Sequence, residues 1–218
     1  MLTIVIPTLN ARASLGACLA SFDGADEILV VDGDSTDGTV ALAQREAARV
    51  ISAPRGRGAQ LLAGGAAANG DWLLFFHADT RLGAGWRAAV AAHIANTPEQ
   101  VGYFELRLDD NAWQARVIER AVALRARLLG LPYGDQGLLI SRCLYDQIGG
   151  FRPLALMEDV DLVRRIGRHR LRRLDEFALT SADRWRRDGW LRRSARNLAC
   201  LSLYAVGVAP TRIARLYR

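Results

Sequence analysis

Trp72-Leu73-Leu74-Phe75-Phe76 is an unbroken apolar run that stops at His77-Ala78-Asp79. Thr80-Arg81-Leu82-Gly83 follows and is expected to turn the chain away. A short apolar run bounded by turn signals reads as a strand buried on both faces. In an open parallel sheet, ligands sit just past the carboxyl ends of the strands. His77 and Asp79 therefore stand at the edge where chemistry occurs, and their i, i+2 spacing aims both side chains the same way in an extended chain. A hard divalent cation carrying a diphosphate needs such a carboxylate, with phosphate oxygens and water completing its shell.

The flanking segments build the sheet around that strand. Leu2–Ile6, Glu27–Val31 and Val50-Ile51 read as strands, and Ser14–Ser21, Val40–Ala48 and Gln60–Ala68 as helices. Trp86–Ala95 follows as a helix and Val101–Leu108 as a strand. This alternation argues for an α/β sheet with parallel pairs. Beyond it lie a long helix at Ala112–Leu129, a loop and strand at Gly134–Ser141, and a short helix at Glu158–Gly167. A strand at Leu171–Leu174 and an amphipathic helix at Trp190–Val206 complete the reading, the helix carrying Arg192, Arg193 and Arg196 on its polar side. No Pro/Gly/Ser-rich linker interrupts the 218 residues, so one domain is expected.

Three strands deliver polar groups to one edge. The first ends in Pro7-Thr8-Leu9-Asn10, the second in Asp32, and the fourth in His77-Ala78-Asp79. One of Ser35, Thr36 and Asp37 is expected to cap the second helix. Asp32 closes an apolar run, which capping does not explain, and a carboxylate there can accept from a nucleobase N–H or a ribose hydroxyl. Arg55 and Arg57 stand in a glycine-flanked loop, where a guanidinium can grip phosphate oxygens or simply be solvated. Glu158, Asp159 and Asp161 crowd a helix start: mutual repulsion raises their pKa values and the helix N-terminus lowers them.

The sequence Ile6-Pro7-Thr8-Leu9-Asn10, then Val30-Val31-Asp32-Gly33-Asp34-Ser35-Thr36-Asp37-Gly38-Thr39, then Gly70 to Asp79 resembles the family 2 glycosyltransferases of the GT-A fold. The likeness is to a small bacterial subgroup carrying His-Ala-Asp-Thr, Gly-Asp-Gln-Gly and Met-Glu-Asp, which stand here at His77–Thr80, Gly134–Gly137 and Met157–Asp159. It implies a mostly parallel twisted sheet flanked by helices, with a nucleotide-sugar half (1–110) and an acceptor and catalytic-base half (111–218) under a helical cover. It also implies that Pro7, Thr8, Leu9, Asn10 and Asp32 line the nucleobase pocket, with Arg57 and His77 near the donor. Asp79 would hold Mg²⁺ or Mn²⁺ on the diphosphate, and Asp159 would be the base of an inverting transferase, with Glu158 as its substitute. His77 stands where an Asp is usual, and Gly33-Asp34 reverses the common order, so the base contact lies with Asp32 or Asp34. Asp135 and Gln136 would face sugar hydroxyls or form a turn. In Thr180–Trp185, a partial match to a subgroup motif, Arg184 would meet phosphate and Trp185 would stack on a sugar or pack in the core.

The resemblance implies a nucleotide-sugar donor, UDP-linked by family precedent, and a small-molecule or lipid-like acceptor. Two other readings compete with it. A sugar-phosphate nucleotidyltransferase needs a glycine-rich basic loop after the first strand, where this chain has Pro-Thr-Leu-Asn-Ala. A nucleic-acid-binding protein is suggested by charge. All 29 basic residues are arginine; residues 1–115 hold 8 against 13 acidic (net −5), and residues 116–218 hold 21 against 10 (net +11). The acidic triplet in that basic half and the lack of a recognition helix count against it. Peripheral membrane contact through Trp190–Val206 is the remaining use of that charge. Three scattered cysteines make neither a disulfide framework nor a zinc site. Reduced thiols of this kind are expected in a cytoplasmic protein, with the inner membrane face as an alternative, and the N-terminus reads as a first strand rather than a signal peptide.

Overall fold

The computed structural model describes residues 1–217. It has a mixed eight-stranded sheet flanked by helices. The strands are β1 (Leu2–Thr8), β2 (Glu27–Asp32), β3 (Arg49–Ser52), β4 (Trp72–Phe75), β5 (Thr80–Leu82), β6 (Val101–Leu108), β7 (Leu138–Ser141) and β8 (Leu171–Thr180). Their spatial order is β3-β2-β1-β4-β7-β6-β8-β5. The β3-β2-β1-β4 half is parallel throughout, as the alternation of strand and helix demands. At β4 the direction changes: β7 runs antiparallel to it, pairing Phe75 with Leu138.

Burial on both faces of β4 is what its sequence predicts. Leu73 and Phe75 point into one core with Val5, Leu29 and Val31, while Leu74 and Phe76 point into the other with Ile4, Ile6 and Val30. The period of two along each strand puts alternate residues in opposite layers. On the first side lies α3 (Arg57–Ala67); on the second lie α1 (Arg12–Ala20) and α4 (Trp86–Asn96). α3 sits unusually close to the sheet because it presents Gly64. A Cβ there would overlap Val5 Cγ1 and come within 2.8 Å of Val31 Cγ2. Gln60, on the same helix, is buried and donates its Nε2 to Thr8 O (2.7 Å) and Val31 O (2.8 Å), tying the ends of β1 and β2 together.

Several boundaries differ from the sequence expectation. Thr80–Leu82 does not turn away: it is strand β5, paired antiparallel with β8. β8 runs ten residues to Thr180, with a register shift after Tyr103 on its partner β6. Its polar residues hid it, because one face of that strand is solvated. α3 begins at Arg57, so this arginine opens a helix rather than lying in a loop. α2 (Thr39–Arg45) is served by Asp37, whose Oδ1 accepts from Thr39 N (3.0 Å) and whose Oδ2 accepts from Arg12 N (3.0 Å). One carboxylate thus satisfies the starts of two helices. Second-half helices are α5 (Trp113–Leu129), α6 (Arg142–Gln147), α7 (Glu158–Ile166), α8 (Asp183–Asp188), α9 (Trp190–Ala205) and α10 (Pro210–Tyr217).

The close approach of α3 gives a direct test. Gly64→Ala should lower unfolding stability by about 1–3 kcal/mol, the usual cost of overpacking. Gly16→Ala, on α1 with only Leu42 Cδ2 at 3.9 Å from the added carbon, should leave stability unchanged or raise it by about 0.5–1 kcal/mol. Urea denaturation of the two variants reads both.

Candidate active site

The sheet register collects the predicted residues at one edge. β4 ends beside β1, so His77 and Asp79 emerge next to the Pro7–Asn10 segment. β7 starts opposite Phe75 because it runs the other way, which puts Gly134–Gly137 at the same edge. β8 finishes there as well: Thr180 Oγ1 lies 3.0 Å from Thr80 Oγ1 and 3.3 Å from Asp135 O, to which it donates. Ser181 N donates to Asp79 O at 3.0 Å. The result is a cleft walled by Arg57, His77, Asp79, Asp135, Asp159 and Arg184, with Tyr133, Trp185, Arg193, Asn197 and Tyr217 on the cover.

Helical spacing sorts the acidic triplet. Glu158 and Asp161 fall on the buried face of α7. Glu158 is only 1 % exposed and accepts from Arg57 Nε. Asp161 accepts from Arg152 (3.2 Å) and from Arg165 Nη2 (2.7 Å). Asp159, one position from Glu158, is turned into the cleft. Its Oδ2 accepts from Gly134 N at 3.0 Å and its Oδ1 from Val160 N at 2.8 Å, while Arg57 Nη2 stands 4.0 Å away. Glu158 is therefore no substitute for Asp159: it is closed into an ion pair behind the cleft wall. Burial pushes the Glu158 carboxyl up against the pull of Arg57. Burial disfavours the Arg57 cation, but Glu158 and Asp159 more than offset that, so the guanidinium stays charged.

His77 and Asp135 are held away from their ordinary values. Burial, and then the Arg57 cation, lower His77 to about 4, so its imidazole is neutral at physiological pH. Its Nε2 faces Gly134, where a Cβ would lie 2.5 Å away, and that contact requires a glycine. Burial raises Asp135 to about 6; Arg125 opposes the shift and Asp159 adds to it. Asp135 Oδ1 is buried with no hydrogen-bond partner among the described residues. Asp79 has only weak partners, Thr80 Oγ1 at 3.4 Å and Arg184 Nη2 at 3.7 Å.

These under-used oxygens fit a shared divalent ion. Among the described residues no three His, Cys, Asp or Glu side chains gather into a cage of their own. Mg²⁺ and Mn²⁺ sites completed by phosphate oxygens and water need only one or two protein carboxylates. Asp79, with its weak partners, and Asp135, with an unpartnered Oδ1, are the carboxylates on this wall that such a site could use.

Other assignments change. Asp32 is 3 % exposed and accepts from Thr8 Oγ1 (3.0 Å), Ser35 N (2.8 Å) and Ser35 Oγ (2.6 Å). Its carboxylate braces the turn instead of standing open to a base. Thr8 is buried with it, whereas Leu9 and Asn10 are exposed above them. Asn10 takes a left-handed backbone (φ 51°) and accepts from Thr36 N at 2.9 Å. Exposed Arg55 pairs with Asp34 Oδ2 at 3.1 Å. Gln136 faces the core, not a sugar: it is 1 % exposed and donates to Phe104 O at 3.1 Å. Trp185 both lines the cleft and stacks on Trp190, ring centroids 6.0 Å apart.

Arg193, expected on the polar side of its helix, is buried. It donates to Asp188 Oδ2 (2.8 Å) and Tyr217 Oη (3.2 Å), and its guanidinium lies over the Trp185 ring. Asn197, one turn on, also reaches the cleft. The four-residue spacing of Arg193 and Asn197 was the available signal.

The sequence model described as "Glycosyl transferase family 2" matches residues 3–140. The chain belongs to glycosyl transferase family 2. Among curated proteins, this family 2 chain is 40 % identical over 84 residues to an uncharacterized glycosyltransferase of Mycobacterium tuberculosis, a match covering 38 % of each chain. A PGL/p-HBAD biosynthesis glycosyltransferase of the same species is 38 % identical over 99 residues, covering 38 % of this chain and 36 % of that one. The chain thus spans well under half the length of the curated relatives it matches. Solved structures give the fold, GT-A. Glucosyl-3-phosphoglycerate synthase from M. tuberculosis, in complex with Mn²⁺, UDP and glucosyl-3-phosphoglycerate, superposes with TM-score 0.59 at 21 % identity over 83 % of this chain and 70 % of that one. S. aureus TarS superposes with TM-score 0.66 at 16 % identity over 99 % of this chain and 69 % of that one.

The raised pKa of Asp135 sets a pH signature. The unfolded carboxyl ionises near 4 and the folded one near 6. Stability from this group is complete below the lower value and is lost as pH rises to the upper one. Asp135→Asn should therefore raise unfolding stability at pH 7.5 by on the order of 1–3 kcal/mol, seen as a higher melting temperature, and give no gain at pH 4. Thermal denaturation at the two pH values tests it.

Proposed function

We propose that this family 2 chain transfers a sugar from a nucleotide diphosphate donor of the UDP type to an acceptor hydroxyl, with inversion at the anomeric carbon. The observation that carries the reading is the pairing of Asp79 and Asp159 in one cleft, with Asp159 aimed by two backbone N–H groups while its acidic neighbours are tied up elsewhere. The uridine lies along Pro7, Leu9 and Asn10, supported from below by Thr8 and Asp32, with Asp34 the carboxylate at the rim. Asp79, joined by His77 or Asp135, would hold Mg²⁺ or Mn²⁺, which when bound would neutralise charge on the diphosphate. The solved neighbour holding UDP and Mn²⁺ supports that donor class.

Asp159 accepts the proton of the acceptor hydroxyl as its oxygen attacks the anomeric carbon. The new C–O bond forms on the face opposite the departing oxygen, and the electron pair of the broken bond leaves on the diphosphate. Gly134 N–H holds the base in place throughout. Arg184, exposed beside Asp79, reaches toward the leaving phosphates. Trp185 offers its ring to the sugar or acceptor. The acceptor is a small molecule or a lipid-like alcohol, entering between α8, α9 and the Asp159 wall. Its site lies in the cytoplasm or at the inner membrane face.

Two measurements test this. Calorimetric titration should show UDP binding that requires Mn²⁺ and vanishes in Asp79→Ala; tight GDP binding in its place would change the donor class, and no binding of either would remove the reading. Asp159→Asn should bind UDP as wild type does yet lose about 10²- to 10⁴-fold in turnover.

A further inference from the structure

α9 packs Cys200, Leu201, Leu203 and Tyr204 toward the core, yet it also carries apolar residues on its outer side. Its arginines 193 and 196 point inward to Asp188, at 2.8 and 2.5 Å. Leu191 and Leu198 on α9, and Val206 just past its end, point outward, at 87, 65 and 77 % exposure. α5 also leaves apolar residues in solvent. Ala115, Val122 and Ala126 are its buried residues, while Trp113 (71 % exposed), Val117, Leu124 and Leu128 stand in solvent. Their spacing of four, seven and four residues draws one stripe along the helix, about 22 Å long at 1.5 Å per residue. Beside the stripe lie Arg120 and Arg127, which have no ion-pair partner among the described residues.

The two helices meet at their carboxyl ends. A groove there is lined by Leu129 and Leu131 from the α5 side, Leu201 and Ala205 from α9, and Arg164 and Arg168 between them. Neither of those guanidiniums is ion-paired among the described residues; Arg164 lies over the Tyr204 ring. The only acidic residue on α5, Glu119, is held by Arg116 at 3.0 Å. The face thus combines exposed Trp and Leu, free arginines and no free carboxylate on α5.

We propose that this face docks the protein on an anionic lipid bilayer. The Trp113–Leu128 stripe and the outer leucines of α9 sink into the interface, and Arg120, Arg127, Arg164 and Arg168 meet lipid phosphates. Apolar side chains at the headgroup boundary beside cations are what such a surface selects. Among the described residues no helix is long and apolar enough to cross a membrane, so the contact is lateral. The proposal does not depend on the transferase reading, because none of the stripe residues lines the cleft.

Co-sedimentation with phosphatidylglycerol/phosphatidylcholine vesicles, and with phosphatidylcholine vesicles alone, tests it. The wild type should partition onto the anionic vesicles, more weakly as salt rises. The double variant Trp113→Glu/Leu124→Glu and the charge reversal Arg120→Glu/Arg127→Glu should each weaken partition about tenfold or more. Both positions of each pair are exposed, and circular dichroism with UDP titration on the same samples checks the fold and donor site separately. Failure of the wild type to sediment with anionic vesicles overturns the proposal. So does a concentration-dependent dimer in sedimentation velocity that the Trp113→Glu/Leu124→Glu variant abolishes, which would give the face to a second copy.

Discussion

The contact between Arg57 and the first turn of α7 carries the site. Two helices, α3 and α7, begin at this point, and each presents free backbone N–H groups and the positive end of its dipole. Glu158 and Asp159 answer that charge, and Arg57, itself partly exposed, compensates the buried Glu158 carboxylate. A pair of this kind adds little net stability, but removing Arg57 would leave the Glu158 carboxylate buried without its partner. Its consequence is positional. With Glu158 locked to Arg57 and Asp161 to Arg152 and Arg165, only Asp159 is left facing the cleft.

Close approach of backbone elements makes that contact possible. α3 can lie on β1 and β2 because Gly64 has no side chain, and its first turn fits under the loop at Arg152–Leu154 because Gly58 has none. A Cβ on Gly58 would meet Leu154 O at 2.6 Å and Arg152 O at 2.7 Å. Gly134 similarly admits the His77 ring. The antiparallel half of the sheet is joined to this frame through hydroxyls: Thr80, Thr180 and the Asp135 carbonyl form a short chain of hydrogen bonds. That chain brings three separate segments to one sheet edge.

The arginine excess of the second half proves to be structural in part. Arg142 donates to the carbonyls of Gly65, Ala68 and Gly70, and Arg165 to those of Ile148 and Gly150. Guanidinium suits this use, with several donors in a fixed plane. Other arginines, on α5 and between α7 and the last helices, remain free at the surface. A net charge cannot separate these two populations. The same limit explains Arg193: an arginine on an amphipathic helix reads as solvated until an acidic partner such as Asp188 is seen beneath it.

Much of the first half was legible because its information is local. The apolar run of β4, the polar cluster at each strand end and the alternation with helices follow from periodicities of two and 3.6 residues. His77 and Asp79 could therefore be placed on one wall, and the family motifs pointed to Asp159. What depended on long-range pairing was not legible: β5 as a strand, the full length of β8, and the fates of Asp32, Gln136 and Glu158. Each of those polar side chains looks the same in sequence whether it faces a ligand or a buried backbone group. The sequence by itself determined an α/β sheet with an acidic edge, since hydrophobic patterning alone compels it. Only the tertiary structure decided which carboxylate was free to act, because that rests on which donors distant segments bring within hydrogen-bond reach.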